Sequence, residues 1–128
     1  PLEGIRVGLK ALPQTTTVAY VTSCDVPFLK PSFVEFMFDR LGTNDIAVPV
    51  EDGFFHPLAG VYCVSVSGAI EALFRTGERR PRMLFDQVCT VQVPTELLKT
   101  ADSTLDSLVN LNDPEQYQAA LERLRPDE

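Results

Sequence analysis

The chain has 128 residues, 45% of them hydrophobic, and carries a net charge of −7 from 11 basic against 18 acidic side chains. That is one domain's worth of chain with enough apolar material for a core, and the composition excludes a disordered or membrane-embedded class. No apolar run approaches the length of a bilayer span, and the acidic balance sets aside nucleic acid and anionic membrane as main partners, though a local basic cluster can still hold a phosphate.

Residues 1–128 read as a single α/β domain. Nothing at its start resembles a secretory signal, and Pro1 stands where an initiator Met would, so a truncated or processed chain is expected. Cys24, Cys63 and Cys89 are widely spaced, each within an apolar run and with no C-x-x-C pair. They read as buried, reduced thiols of a cytosolic protein and not as zinc ligands.

Helical and strand patterns alternate, which predicts a mostly parallel sheet covered by helices. Leu2, Ile5, Leu9 and Leu12 share a helical face that Pro13 ends. Val18 to Cys24 is β-branched and apolar on both faces, the pattern of a strand inside a parallel sheet. A helix follows, with Ser32 as cap, Glu35 completing a capping box, an apolar face of Phe33, Phe36, Met37 and Leu41, and Gly42 after its end.

Ile46 to Val50 reads as a strand, Asp52-Gly53 as a turn and Leu58 to Val64 as a returning strand, an antiparallel excursion. Ala69, Ile70, Leu73 and Phe74 predict a helix stopping at Gly77, and Pro81 to Gln87 a short one with Pro81 in its first turn. Val88 to Val93 reads as a strand, while Pro94 to Ser107 carries mixed signals and is left unplaced. Asp113 caps a last helix, with Pro114 at its first position, Gln116 closing the box and Tyr117, Ala120, Leu121 and Leu124 as the expected buried face.

Four segments could carry chemistry. Asp25, in Cys24-Asp25-Val26-Pro27, directly follows a strand, where open α/β sheets bind ligands. It suits Mg²⁺, which takes one or two carboxylates plus substrate phosphates, and equally suits a turn cap before Pro27. Arg79, Arg80 and Arg82 cluster where a helix begins, a possible phosphate clamp or a solvated basic turn. His56 is the only histidine; no spacing pairs it with a cysteine nucleophile, so the His56-Pro57-Leu58 loop is structural or substrate-lining. Asn110 and Asn112 fit turn and cap roles and could also meet a polar heterocycle or a phosphate.

Taken in order, Pro1-Leu2-Glu3-Gly4, Cys24-Asp25-Val26-Pro27-Phe28-Leu29, His56-Pro57-Leu58, the Gly77-to-Arg82 run and Asn110-Leu111-Asn112-Asp113-Pro114-Glu115 resemble the MobA-type molybdenum-cofactor guanylyltransferases. The resemblance spans nearly the whole chain. It implies a three-layer αβα, Rossmann-like fold of the nucleotide-diphospho-sugar-transferase kind, here its later portion. It implies a reaction in which a terminal phosphate of molybdopterin attacks the α-phosphorus of Mg²⁺-GTP, giving molybdopterin guanine dinucleotide and pyrophosphate.

Carried over by position, the resemblance makes Asp25 the catalytic Mg²⁺ ligand, and Leu2, Gly4 and Asp25 part of the nucleotide site. It puts Arg79, Arg80, Arg82, His56, Asn110 and Asn112 on the molybdopterin and phosphate side. GTP and molybdopterin are the implied ligands, with cofactor-handling proteins as further partners, in the cytoplasm. The family's Gly-rich opening, L-A-G-G-x-S-x-R-M-G-x-D-K, does not occur in this sequence, so residues 1–128 alone are expected to bind GTP weakly and to turn over negligibly. A cytidylyl- or other nucleotidyltransferase, or a non-catalytic molybdopterin-binding domain, is the alternative reading.

Overall fold

The computed structural model describes residues 1–125. Its elements, in chain order, are α1 (Leu2–Ala11), β1 (Val18–Thr22), α2 (Pro31–Leu41), β2 (Ile46–Glu51), β3 (Phe54–Phe55), β4 (Ala59–Cys63), α3 (Ser67–Arg75), α4 (Pro81–Gln87), β5 (Thr90–Pro94), α5 (Thr95–Leu98) and α6 (Pro114–Leu124). Short 3₁₀ turns precede α3 and follow α5.

The sheet is sandwiched between helices, as expected. Ile46 and Val48 of β2 and Tyr62 of β4 pack with Leu2, Ile5 and Leu9 of α1, Ile70 and Leu73 of α3, and Leu84 and Phe85 of α4. On the opposite face Ala47, Val61 and Val93 meet Phe33, Met37 and Leu41 of α2 and Leu98 of α5. Successive β2 residues therefore enter different cores, because side chains alternate across a strand. This is why Ile46-Ala47-Val48 is continuously apolar and fully buried.

The sheet is mixed, a correction to the mostly parallel expectation. β2 and β5 pair in parallel, but β4 lies antiparallel between β1 and β2. The reason is local: only residues 52–58 join β2 to β4, too few for the crossover that a parallel return requires. Asp52 and Gly53 both have positive φ, 49° and 82°, as the reversal demands, and β3 folds back on β2 through Val50 and Phe55. Where β4 passes β2, a Cβ on Gly60 would lie 2.8 Å from the Ala47 carbonyl oxygen, so this crossing accepts only glycine without displacement.

β1 is shorter than predicted and only partly buried. Among the described residues it pairs with β4 alone, and its other edge faces a groove lined by Gly4, Gly8, Leu12, Ala19 and Val21.

Two cap assignments also change. Lys30, not Ser32, occupies the N-cap of α2, with Pro31 at N1; the Ser32 hydroxyl donates instead to the Ala101 carbonyl at 3.0 Å. In α6 the Asp113 carboxylate accepts from the Gln116 N–H at 2.8 Å as expected, but the Gln116 side chain accepts from Asn112 N–H rather than from the cap residue. Only Ala120 of the expected α6 face is buried; Tyr117, Leu121 and Leu124 are exposed. Cys24 and Cys89 are exposed and Cys63 half-buried, because Cys24 falls in the turn after β1 and Cys89 in the link between α4 and β5, outside the strands that suggested burial.

Candidate functional site

β1 and β2 run in the same direction, and the segments following them, with the 56–59 turn and the loop before α6, enclose a cleft of about 250 Å³. Pro1, Ser23, Phe55, His56, Pro57, Ser107 and Asn110 are among its lining residues. A cleft beyond the carboxyl ends of strands is the usual ligand position in an open α/β sheet. Asp25 and Asn112 border a shallower depression with Cys24, Asp113 and Tyr117. The two hollows meet at the Asp25 loop: the Ser23 hydroxyl, on the cleft side, donates to Asp25 Oδ1.

Asp25 is held by its backbone as well, since its carbonyl accepts from Leu111 N–H at 2.9 Å. That contact seats Leu111 against Asp25 and sets Asn110 and Asn112 on either side, Asn110 toward the cleft and Asn112 toward the depression. Tyr62 fixes the opposite wall. Its side chain is fully buried and its hydroxyl donates to the Pro57 carbonyl at 2.6 Å, while burial pushes the phenol pKa upward. His56 N–H donates to the Pro49 carbonyl at 3.0 Å, and His56 Nε2 lies 3.6 Å from Glu51 Oε1.

Other candidate residues are placed differently. Leu2 is a core side chain, packed with Ile5 and Leu9. Gly4 lines the groove along β1 and not the cleft. The arginine run satisfies itself locally. Arg80 grips Glu78 with two bonds, 2.9 and 3.0 Å, and this hydrogen bonding is the main reason the Glu78 carboxyl falls to about 2. Arg79 lies 4.2 Å above the Phe74 ring and donates to the Phe74 carbonyl. Arg82 is exposed and, among the described residues, makes no ion pair. None of the three lines the cleft.

The structure adds residues that local pattern did not single out. The stretch left unplaced folds as α5, a turn and a 3₁₀ turn, and it contains Asp102, whose side chain has 0% exposure. Asp102 Oδ1 accepts from Lys30 Nζ at 3.0 Å and Oδ2 from Ser107 N–H at 2.8 Å. Burial is the largest influence on this carboxyl and raises its pKa, but the Ser107 hydroxyl, the Ser107 N–H and Lys30 together outweigh it and hold the group near 2. Lys30 N–H in turn donates to Ser107 Oγ at 3.0 Å. Arg123 pairs with Asp106 and lies 4.0 Å over the Phe28 ring.

Known proteins resemble this chain in sequence and in fold. A family model described as the MobA-like NTP transferase domain matches residues 1–93. A probable molybdenum cofactor guanylyltransferase of Methanosarcina mazei is 32% identical over 120 residues, covering 92% of this chain and 53% of that protein. The molybdenum cofactor guanylyltransferase of Ectopseudomonas mendocina is 28% identical over 122 residues, with 94% and 55% covered. The crystal structure of molybdopterin-guanine dinucleotide biosynthesis protein A from Archaeoglobus fulgidus superposes with a TM-score of 0.79 at 26% identity, covering 96% of this chain and 62% of that one. The chain therefore spans about half the length of the curated relatives it matches. With a family model matched over most of its length and a fold shared with that solved structure, the chain belongs to the MobA-like NTP transferase family.

Proposed function

We propose that this chain forms part of a nucleotidyltransferase that joins GMP, from GTP, to a terminal phosphate of molybdopterin. A molybdopterin phosphate oxygen bonds to the α-phosphorus of GTP, the α–β bridging bond breaks, and pyrophosphate leaves. The observation that supports this most is the position of Asp25, just past the end of β1, flanked by the cleft and by both asparagines, in a chain whose relatives are named for that activity.

Asp25 fits a Mg²⁺ ligand. Its carboxylate is part-exposed, Oδ1 takes one hydroxyl hydrogen bond, and the ion ordinarily needs one or two carboxylates plus phosphates and water. When bound, Mg²⁺ would offset negative charge on the triphosphate and on the departing pyrophosphate.

The remaining work is positioning, because phosphoryl-type transfer needs no protein nucleophile. Asn110 and Asn112 offer both donors and acceptors to the pterin side, and His56 and Pro57 shape the opposing wall. None of Arg79, Arg80 and Arg82 lines the cleft, so their part in this reading is confined to long-range attraction of the anionic substrates, with Arg80, already paired with Glu78, contributing least.

The test is transfer assayed with molybdopterin and GTP, CTP or ATP, using the protein with its natural ends, alongside Asp25→Asn. The expected result is pyrophosphate release with GTP preferred and lost in the variant. Preference for CTP would reassign the base, and full activity of the variant would overturn the role of Asp25.

A further inference from the structure

The segment carrying Asp25 and the segment carrying Asn110 run side by side and are tied at both ends. At one end Leu111 N–H donates to the Asp25 carbonyl at 2.9 Å; at the other Lys30 N–H donates to Ser107 Oγ at 3.0 Å. Between them Arg123 pairs with Asp106 and covers the Phe28 ring. The second tie is fastened from beneath by Asp102, whose carboxylate reaches Lys30 Nζ through Oδ1 and Ser107 N–H through Oδ2. Thr104 adds a longer contact to Oδ1, at 3.4 Å.

A buried carboxylate is an expensive way merely to close a surface loop, since well-packed apolar side chains often stabilise as well or better. What a carboxylate adds is direction: two oxygens in one plane hold two donors at a fixed separation. Here the donors are the residue that ends the Asp25 loop and a residue that lines the cleft. The neighbouring Leu105 has φ 55°, a left-handed conformation unfavourable for a branched side chain, kept within the same cluster of bonds.

We propose that Asp102 is a positioning residue for nucleotidyl transfer, acting through Lys30 and Ser107 to hold the segments of Asp25 and Asn110 at a fixed separation along one wall of the cleft. It touches no reacting atom. The proposal rests on Asp25 as the metal ligand. Loosening the tie spreads the approach of metal–nucleotide over many geometries and weakens its capture.

The test is Mn²⁺ binding in the presence of GTP, followed by electron paramagnetic resonance on the protein with its natural ends, together with steady-state kinetics. Asp102→Asn preserves shape and removes the charge. The expected result is Mn²⁺-GTP affinity weakened on the order of 10-fold, as for partners that orient a metal ligand. KM for metal–GTP should rise more than kcat falls. Lys30→Met should shift affinity the same way by about threefold, and it decides the matter if Asp102→Asn does not fold. A merely structural role would lower the thermal midpoint and the active fraction but leave affinity and KM unchanged. That outcome, with binding lost in Asp25→Asn, overturns the role of Asp102 and leaves the metal reading standing. Unchanged binding in Asp25→Asn overturns both.

Discussion

The Asp25 wall and the arginine run are both short polar stretches beside the sheet, but they are built from opposite kinds of contact. Asp102 and Lys30 are 72 residues apart, and Lys30 and Ser107 are 77. In the arginine run, Arg80 bonds to Glu78 two residues away and Arg79 to Phe74 five residues away. The first arrangement exists only in the folded chain and fixes the relative position of two segments. The second is available to almost any turn of that sequence and fixes nothing beyond itself. Charge density alone would rank the arginines first, whereas geometry ranks the acidic wall first.

The contrast is broken most severely at Asp25. Asp25→Asn should reduce transfer by roughly 10³-fold, the scale of several kcal/mol of lost charge stabilisation, with no fall in thermal midpoint. An equal loss from Arg80→Ala would erase the ranking of the two regions.

Asp102→Asn should cost about 2 kcal/mol of stability at neutral pH, by stranding buried donors around a neutral amide. Its pH dependence is the sharper readout. The Asp102 pKa is depressed in the folded protein, from 3.8 to about 2, so its stabilisation is fully present above the unfolded value and lost as pH falls through the folded one. Urea unfolding of wild type and variant should therefore differ most at pH 5 to 7 in these terms and converge between about pH 4 and 2. A difference that grows on acidification would show that Lys30 and Ser107 do not hold the charged carboxylate.

Tyr62→Phe should cost about 1 kcal/mol, the worth of the hydrogen bond to the Pro57 carbonyl, and should increase amide exchange across residues 56–58. Unchanged exchange there would mean that the wall opposite Asp25 is held by packing alone. The smallest effect belongs to Arg80→Ala. An exposed ion pair contributes roughly 0–1 kcal/mol, so the thermal midpoint should barely move, and added salt should mask what remains.

Legibility followed the range of the interactions. The helical faces of α1 and α2, the Asp52-Gly53 reversal, the antiparallel return of β4 and the α4 boundaries were readable, because each is set by side-chain periodicity or by turn conformation within a few residues. Asp25, Asn110, Asn112 and His56 were readable as candidates from their chemistry, and folding brought Asp25 together with the two asparagines. Asp102 was not, because nothing around it marks a buried position. Its partners come from a loop 72 residues earlier and from a turn whose own shape depends on that contact.

Two helices show the same boundary. α2 and α6 each have 11 residues, with Pro at N1 and apolar residues spaced to share a face. α2 buries Phe33, Met37 and Leu41 against the sheet, while α6 leaves Tyr117, Leu121 and Leu124 in solvent. Periodicity identifies a face; it does not supply the surface that would cover it.

Local pattern alone marked most of the helices and strands, that helices cover a sheet, and which carboxylate follows β1. Those outcomes depend on backbone preference and alternation over short distances. It took the folded chain to set β4 between β1 and β2, to engage Arg80 with Glu78 and Arg79 with Phe74, and to make a buried Asp102 fasten the Asp25 wall. Each of these turns on which distant segments meet, and burial and hydrogen-bond geometry are properties of that meeting, not of either segment alone.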